Sequence, residues 1–219
     1  MKKTIFSILI LSAAITAFLT TYEYRAEQVQ KYSNYTFTDD EFRLLQDGDI
    51  ILRHGYGLVS DIIVETLQEE YEISHCAIIT IEGNRYRIIH SVSQSISDYD
   101  GVQDQALRPF INQSHKNSAI IVRFKSPYKD AGARISRRAK YYLDQQVPFD
   151  HSFDITDDKE LYCSELIWKI IMDEFEIDIF PDRSPETKKY LNFDNFYNSE
   201  FFEVILNHHD RNKIHQLRK

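Results

Sequence analysis

The chain is poor in the residues that interrupt or cross-link small proteins. Its 219 residues include 6 glycines, 5 prolines and 2 cysteines. So few glycines and prolines exclude collagen-like and low-complexity chains. Two cysteines can neither cross-link a small disulfide scaffold nor fill a four-thiolate zinc site. Basic residues are outnumbered by acidic ones, 26 to 34, which argues against a nucleic-acid partner because such proteins present a basic face.

The chain does have enough apolar material for a core. Hydrophobic residues make up 42% of it and aromatic residues 13%, which excludes wholesale disorder. Its length fits one ordinary domain with appendages, since domains most often span roughly 100–150 residues. We therefore expect a domain over residues 41–207, preceded by a distinct segment (1–21) and a polar, irregular lead-in (22–40), and followed by a tail (208–219).

The first 21 residues have the pattern of a secretory signal. Lys2 and Lys3 precede an apolar run over residues 5–19, and no acidic residue occurs among them. The run is marginally short for the ~20 residues of a membrane span, and no Ala-x-Ala cleavage site follows it. The sequence predicts export to the periplasm or cell envelope. We expect cleavage, with a retained membrane anchor as the alternative.

Hydrophobic periodicity predicts a single α+β domain. An Asp-Gly turn leads into a short apolar strand that ends near Arg53, and Ser60 is a candidate cap for the helix that follows. Gly83 marks a hairpin turn. The predicted elements are helices over residues 60–67, 131–143 and 163–175, and strands over residues 74–81, 85–92, 119–124 and 201–206.

Cys163 begins the most strongly amphipathic of these helices. A thiol is a good nucleophile only as the thiolate, and a helix N-terminus lowers its pKa. A histidine within hydrogen-bond reach lowers the pKa further. His75, at the start of a buried strand, is the candidate partner. His90 lies on the paired strand, where a hairpin about Gly83 places it close to opposite His75, and it is the candidate residue that orients the imidazole.

These residues also have structural explanations. A cysteine on a helix is most often a small buried hydrophobe, and a histidine at a strand end is often structural. An oxidising compartment would permit a disulfide between Cys76 and Cys163. No metal or cofactor is expected, because the histidines show none of the close spacings typical of metal sites; those considered are His54, His75, His90 and His151. We expect His208 and His209 to be solvated.

Three motifs in this order resemble the circularly permuted branch of the NlpC-type papain-like thiol hydrolases, the YiiX/YaeF-like group. They are Gly48-Asp49-Ile50-Ile51, Ser74-His75-Cys76-Ala77-Ile78-Ile79 and Tyr162-Cys163-Ser164-Glu165-Leu166. The resemblance runs from about residue 44 to residue 175. The order is informative, because standard relatives have the cysteine before the histidine. The resemblance implies a permuted papain-like α+β domain in which a small antiparallel sheet packs against helices.

The resemblance also implies roles for individual residues. Cys163 would be the nucleophile, His75 the general base and acid, and His90 the orienting residue, although close relatives often carry Glu at that place. Cys76 stands where relatives usually have Val and inherits no role. Asp150 lies in a stretch similar to the family's Pro-Tyr-Asp, and we expect it to be structural.

The expected function is hydrolysis of an amide, in a cell-wall peptide or related acyl amide, through a thioester on Cys163. The backbone N–H of Cys163 is the natural oxyanion donor, and the hydroxyl of Tyr162 is a candidate second one. Because the permuted branch also resembles lecithin:retinol acyltransferase-type enzymes, a lipid ester or N-acyl amide is the alternative substrate. A non-catalytic envelope binding module is the alternative from another class. The sequence does not determine the oligomeric state.

Overall fold

The computed structural model describes residues 2–95, 97, 99–156, 159–181, 192–198 and 200–209. In this part of the chain the helices are α1 Lys2–Lys31, α2 Asp39–Leu44, α3 Leu58–Leu67, α4 Leu107–Asn112, α5 Ala131–Asp144, α6 Cys163–Phe175 and α7 Asp194–Tyr197. The strands are β1 Ile50–Arg53, β2 His75–Glu82, β3 Arg85–Val92, β4 Gly101–Ala106, β5 Ile120–Phe124 and β6 Phe202–Asn207.

The six strands form one antiparallel sheet in the order β4-β3-β2-β1-β5-β6. Strand β2 is central, and its first six residues are buried. Because successive side chains of a strand point to opposite faces, Cys76 and Ala77 enter different cores. The core that contains Cys76 is shared with α5 and α6, and the core that contains Ala77 is shared with α2 and α4. The predicted α+β class and antiparallel sheet are confirmed.

The predicted cap of α3 was wrong. The helix begins at Leu58, and its first residue donates its N–H to Glu23 Oε1 at 2.9 Å rather than relying on Ser60. The first N–H groups of a helix need acceptors, and here the acceptor comes from α1, which sequence spacing could not indicate.

The predicted irregular lead-in was also wrong in part, because α1 continues through it to Lys31. Residues 23–31 are mostly good helix formers, and extending an existing helix avoids the cost of nucleating a new one. By length and composition one helix of the described residues, over Thr4–Lys31, could cross a membrane; its apolar part is not buried against the domain. A signal sequence has the same properties.

The prediction of two solvated histidines at the end of the chain was wrong for both. His208 is fully buried, with Nδ1 2.6 Å from the Tyr35 hydroxyl and Nε2 3.2 Å from Glu41 Oε1. Burial lowers the pKa of His208 to about 4, so its ring is neutral at pH 7. His209 Nε2 lies 2.9 Å from the carbonyl oxygen of Ser118. Pairing of β6 with β5 brings both residues back to the domain, and residues 210–219 lie outside the described residues.

Candidate active site

Cys163 is the first residue of α6, directly after the N-cap residue Tyr162. The apolar stripe of this helix, which includes Leu166, Ile167 and Ile170, packs into the same core as Cys76. That packing brings the N-terminus of α6 to the start of β2. Cys163 remains partly exposed, and the N–H groups of its turn have no intrahelical acceptors. The thiol therefore combines access with an electropositive environment.

Groups at the start of β2 lower the pKa of the Cys163 thiol. The Cys76 side chain makes the largest contribution to lowering the pKa of the Cys163 thiol, followed by the positive charge and hydrogen bond of His75 and by the Cys76 backbone N–H. Together they outweigh burial and hold this pKa well below its ordinary value. The lowered pKa increases the fraction of Cys163 that is present as the nucleophilic thiolate.

His75 contacts His90 and also lowers the pKa of Cys163. His75 Nε2 lies 2.7 Å from His90 Nδ1, and both rings are buried. The register pairs Ile78 with Ile89, and its continuation sets Ala77 across from His90. The two histidines are thus diagonal neighbours rather than directly opposite, and their long side chains close the gap. Because His75 Nε2 contacts His90, His75 Nδ1 is the ring nitrogen that remains available to Cys163.

His90 is held in its neutral form. Burial lowers its pKa well below the usual value, and the charges of His75 and Arg53 lower it further. A neutral imidazole has one nitrogen that accepts and one that donates. When His75 is an imidazolium, its Nε2–H must donate to His90 Nδ1, which places the His90 proton on Nε2. Among the described residues His90 Nε2 has no hydrogen-bond partner.

Sequence reasoning missed Arg53 and Phe110 beside this pair. Arg53 pairs with His75 in the sheet register, and its guanidinium lies 4.0 Å from the centre of the Phe110 ring. Nη1 donates to the carbonyl of Gln113 at 2.6 Å. Burial lowers the pKa of Arg53 to about 9, so it stays charged at neutral pH. The sequence feature that could have indicated Arg53 is an arginine at the end of a buried apolar strand.

Cys76 affects the pKa of Cys163, which the sequence did not indicate. It is fully buried, and both cysteines are free thiols in this structure. Burial and the bond to Cys163 raise the pKa of Cys76 well above its usual value. Cys76 therefore remains a protonated donor to the Cys163 thiolate.

The other residues considered in the sequence analysis are Tyr162, Asp150 and His151. The Tyr162 ring is buried against Phe153, with centroids 5.2 Å apart. Asp150 Oδ1 accepts from the N–H of Ser152 at 2.7 Å and of Phe153 at 2.9 Å, which is the local turn contact of a structural aspartate. His151 Nε2 lies 3.2 Å from Asp100 Oδ1 at the surface.

We expect Cys163, and not Cys76, to be the reactive thiol. At about pH 6.5 the lowered pKa keeps Cys163 ionised, whereas the raised pKa keeps Cys76 protonated. Treating the folded protein with iodoacetamide and mapping the modified peptides should show label on Cys163. Preferential label on Cys76 would contradict the assignment.

Replacing Cys76 should change the pKa of Cys163. Cys76→Ala removes the S–H donor, and we expect the pKa of Cys163 to rise by about one unit, since a hydrogen bond to a charged group contributes about 1.5–3 kcal/mol and S–H is a weak donor. The pH dependence of the alkylation rate measures this shift. Cys76→Ser is the matched control, because it keeps a donor and should shift the profile less. Identical profiles for Cys76→Ala and wild type would show that Cys76 does not act on the thiolate.

Comparisons with known proteins agree with this geometry. A crystal structure described as the metalloprotein yiiX from Escherichia coli O157:H7 is similar to 74% of this chain and 97% of its own, with a TM-score of 0.57 and 18% sequence identity. No curated protein sequence matches the chain. A sequence model for permuted papain-like amidase enzymes of the YaeF/YiiX type matches residues 44–196. That match includes Cys163, His75 and His90, and it favours a cysteine hydrolase over a non-catalytic module. The chain belongs to the YaeF/YiiX family of permuted papain-like cysteine amidases.

Proposed function

We propose that this chain is an exported hydrolase that cleaves an amide of a cell-wall peptide through a thioester on Cys163. The observation that carries the proposal is the grouping of three residues at the N-terminus of α6: His75 lowers the pKa of Cys163, and its Nε2 lies 2.7 Å from His90 Nδ1. A thiolate beside an imidazolium that a third group orients is the arrangement of a nucleophilic triad.

In the first half of the reaction the Cys163 thiolate attacks the amide carbon and forms a C–S bond. The developing oxyanion is stabilised by the backbone N–H of Cys163, with the Tyr162 hydroxyl as the candidate second donor. His75 gives its Nδ1 proton to the leaving nitrogen as the C–N bond breaks. The amine departs and an acyl thioester remains on Cys163.

In the second half of the reaction His75 acts as a base. Its neutral Nδ1 takes a proton from water, and the resulting hydroxide attacks the thioester carbon. The C–S bond breaks, the acid is released, and the Cys163 thiolate and the His75 imidazolium are restored. His90 stays neutral throughout, because burial and the charge of Arg53 oppose its protonation. It holds the His75 ring with Nδ1 towards the sulfur.

A peptidic substrate of the envelope is supported by family membership and by the N-terminal segment. The matched family is described as an amidase, and Lys2 and Lys3 precede the apolar run of residues 5–19 as in an exported protein. Export with cleavage of residues 1–21 would release an acidic domain that can reach wall peptides.

A lipid acyl group is the second candidate, and the α1–α3 region favours it. α1 is long and apolar enough to span a bilayer. Beyond its apolar part, Glu23 accepts a hydrogen bond from the N–H of Leu58 at the start of α3, and the Tyr22 hydroxyl donates to Asp61 of α3. α3 itself exposes Val59 and Ile62, at 39% and 49%. A retained α1 would hold this apolar helix, and with it the active site, near fatty-acyl chains.

Removal of His75 should abolish turnover, whereas removal of His90 should leave a measurable rate. His75 transfers protons in both half-reactions, while His90 only sets its orientation. Loss of an orienting residue can cost on the order of 10⁴ in kcat, so the rank order of His75→Ala below His90→Ala is the prediction. Steady-state rates on any cleaved acyl substrate measure it, and wild-type activity in His75→Ala would remove His75 from the mechanism.

The fate of the N-terminus should separate the two substrates. We expect cleavage, because the apolar run of residues 5–19 is short for a permanent span. The intact mass of protein recovered from the envelope fraction should then lack about 21 residues. A full-length mass in the membrane pellet would favour the lipid substrate, and a full-length cytoplasmic protein would overturn export.

Protection of Cys163 from alkylation tests the substrate itself. A cell-wall peptide amide that occupies the site should slow the labelling of Cys163 by iodoacetamide, while a fatty N-acyl amide of similar concentration should not. Labelling in denaturant serves as the control for direct effects on the reagent. Protection by the lipid alone would overturn the peptide proposal and leave the cysteine chemistry intact.

A further inference from the structure

A second cluster of side chains lies outside the catalytic pair. His54 follows β1, Asp61 lies on α3, and His115 lies between α4 and β5. One potential ligand atom from each residue lies within 4.8 Å of the others. Their separations in sequence are irregular, so sequence spacing gave no sign of the cluster. The fold brings three separate segments together at this point.

The backbone fixes the two imidazoles of the cluster. The N–H of His115 donates to the carbonyl of His54 at 2.8 Å, and the N–H of His54 donates to Ser118 Oγ at 3.2 Å. The two rings are stacked, with centroids 4.2 Å apart and planes 21° apart. The His54 side chain is 8% exposed. The cluster is thus anchored by main-chain contacts and not formed by freely moving surface residues.

The distances suit a small metal ion. His54 Nε2 lies 3.0 Å from Asp61 Oδ1. Two ligand atoms at ~2.0–2.1 Å from a tetrahedral zinc ion lie about 3.3 Å apart, so an ion could replace the proton between these atoms after a small movement. The nearby ring of His115 would supply the third ligand.

Neighbouring groups support the cluster as they support metal ligands in known sites. A ligating histidine usually directs its other ring nitrogen to a carboxylate, and ligating carboxylates are themselves hydrogen-bonded. Glu72 Oε2 lies 3.7 Å from His54 Nδ1. The Tyr22 hydroxyl, from α1, donates to Asp61 Oδ2. Asp61 therefore has the expected outer hydrogen bond, and Glu72 needs only a small movement to reach His54 Nδ1.

We propose that His54, Asp61 and His115 bind a divalent transition-metal ion. Imidazole ligands favour zinc, copper, iron or nickel over calcium and magnesium, which prefer sites made of oxygen ligands alone. Three protein ligands leave a fourth position for water. The ion would fasten α3 and the segment around His115 to the end of β1. This end is tied to β2 by the bond from the N–H of Gly55 to Ser74 Oγ, the residue before the proposed base His75.

Zinc binding to the full chain in detergent tests the proposal. A Cys163→Ala background removes the thiolate, which could itself bind zinc. We expect one zinc per chain by calorimetry and metal analysis, and a higher Tm with zinc than with chelator. His115→Asn should weaken binding at least about 100-fold, because loss of an outer contact alone costs about 10–100-fold. Tyr22→Phe should weaken it by about tenfold.

Two further variants keep the result interpretable. Asp61→Asn keeps the size of the side chain and one accepting oxygen, so it remains informative if His115→Asn fails to fold, and it should also abolish the increase in Tm. His151→Asn is the matched control, because His151 pairs with Asp100 at 3.2 Å at the surface and belongs to no three-ligand group among the described residues. Absence of stoichiometric zinc, or equal affinity in Asp61→Asn and His151→Asn, would overturn the proposal.

Discussion

Packing of the first turn of α6 against the first residues of β2 sets the surroundings of the Cys163 sulfur, and the proposed mechanism depends on that contact. The apolar stripe of α6 packs into the core that contains Cys76. This packing places the sulfur beside the N–H and S–H of Cys76 and beside His75, which together lower the pKa of Cys163. A shift of α6 by one turn, about 5.4 Å, would remove all three. The core of the domain therefore determines the reactivity of its nucleophile.

The low pKa of His90 is a second constraint on the orientation of the His75 ring. Burial and the charges of His75 and Arg53 keep it neutral, so its Nδ1 can only accept from His75 Nε2 at 2.7 Å. A carboxylate at this position would stabilise the imidazolium by charge. A neutral histidine orients the ring without adding a negative charge. The nearby Arg53 is compatible with a neutral histidine at position 90. If a carboxylate stood there, the Arg53 guanidinium would compete with the His75 imidazolium for that negative charge.

The sequence predicted the elements with strong local signals, whereas α2, β4, α4 and α7 were not predicted. The hairpin at Gly83, the buried run of β2 and the stripe of α6 are confirmed to within a residue or two. Contacts between distant segments were missed: the cap of α3 by Glu23, the burial of His208 under α2 and β5, and the meeting of His54, Asp61 and His115. Motif order predicted that Cys163 and His75 come together, and the structure brings them together, whereas Arg53 and Cys76 reach this site through packing that no spacing reveals.

Nitrogen NMR of the histidine side chains at pH 7 tests the central claim most directly, since it reports the proton on each ring nitrogen. The account predicts that His75 is an imidazolium with protons on both nitrogens, while His90 is neutral with its proton on Nε2. In Cys163→Ala, which removes the thiolate, His75 should lose a proton. A neutral His75 in the wild-type protein, or a charged His90, would contradict the proposed ion pair and the role of His90.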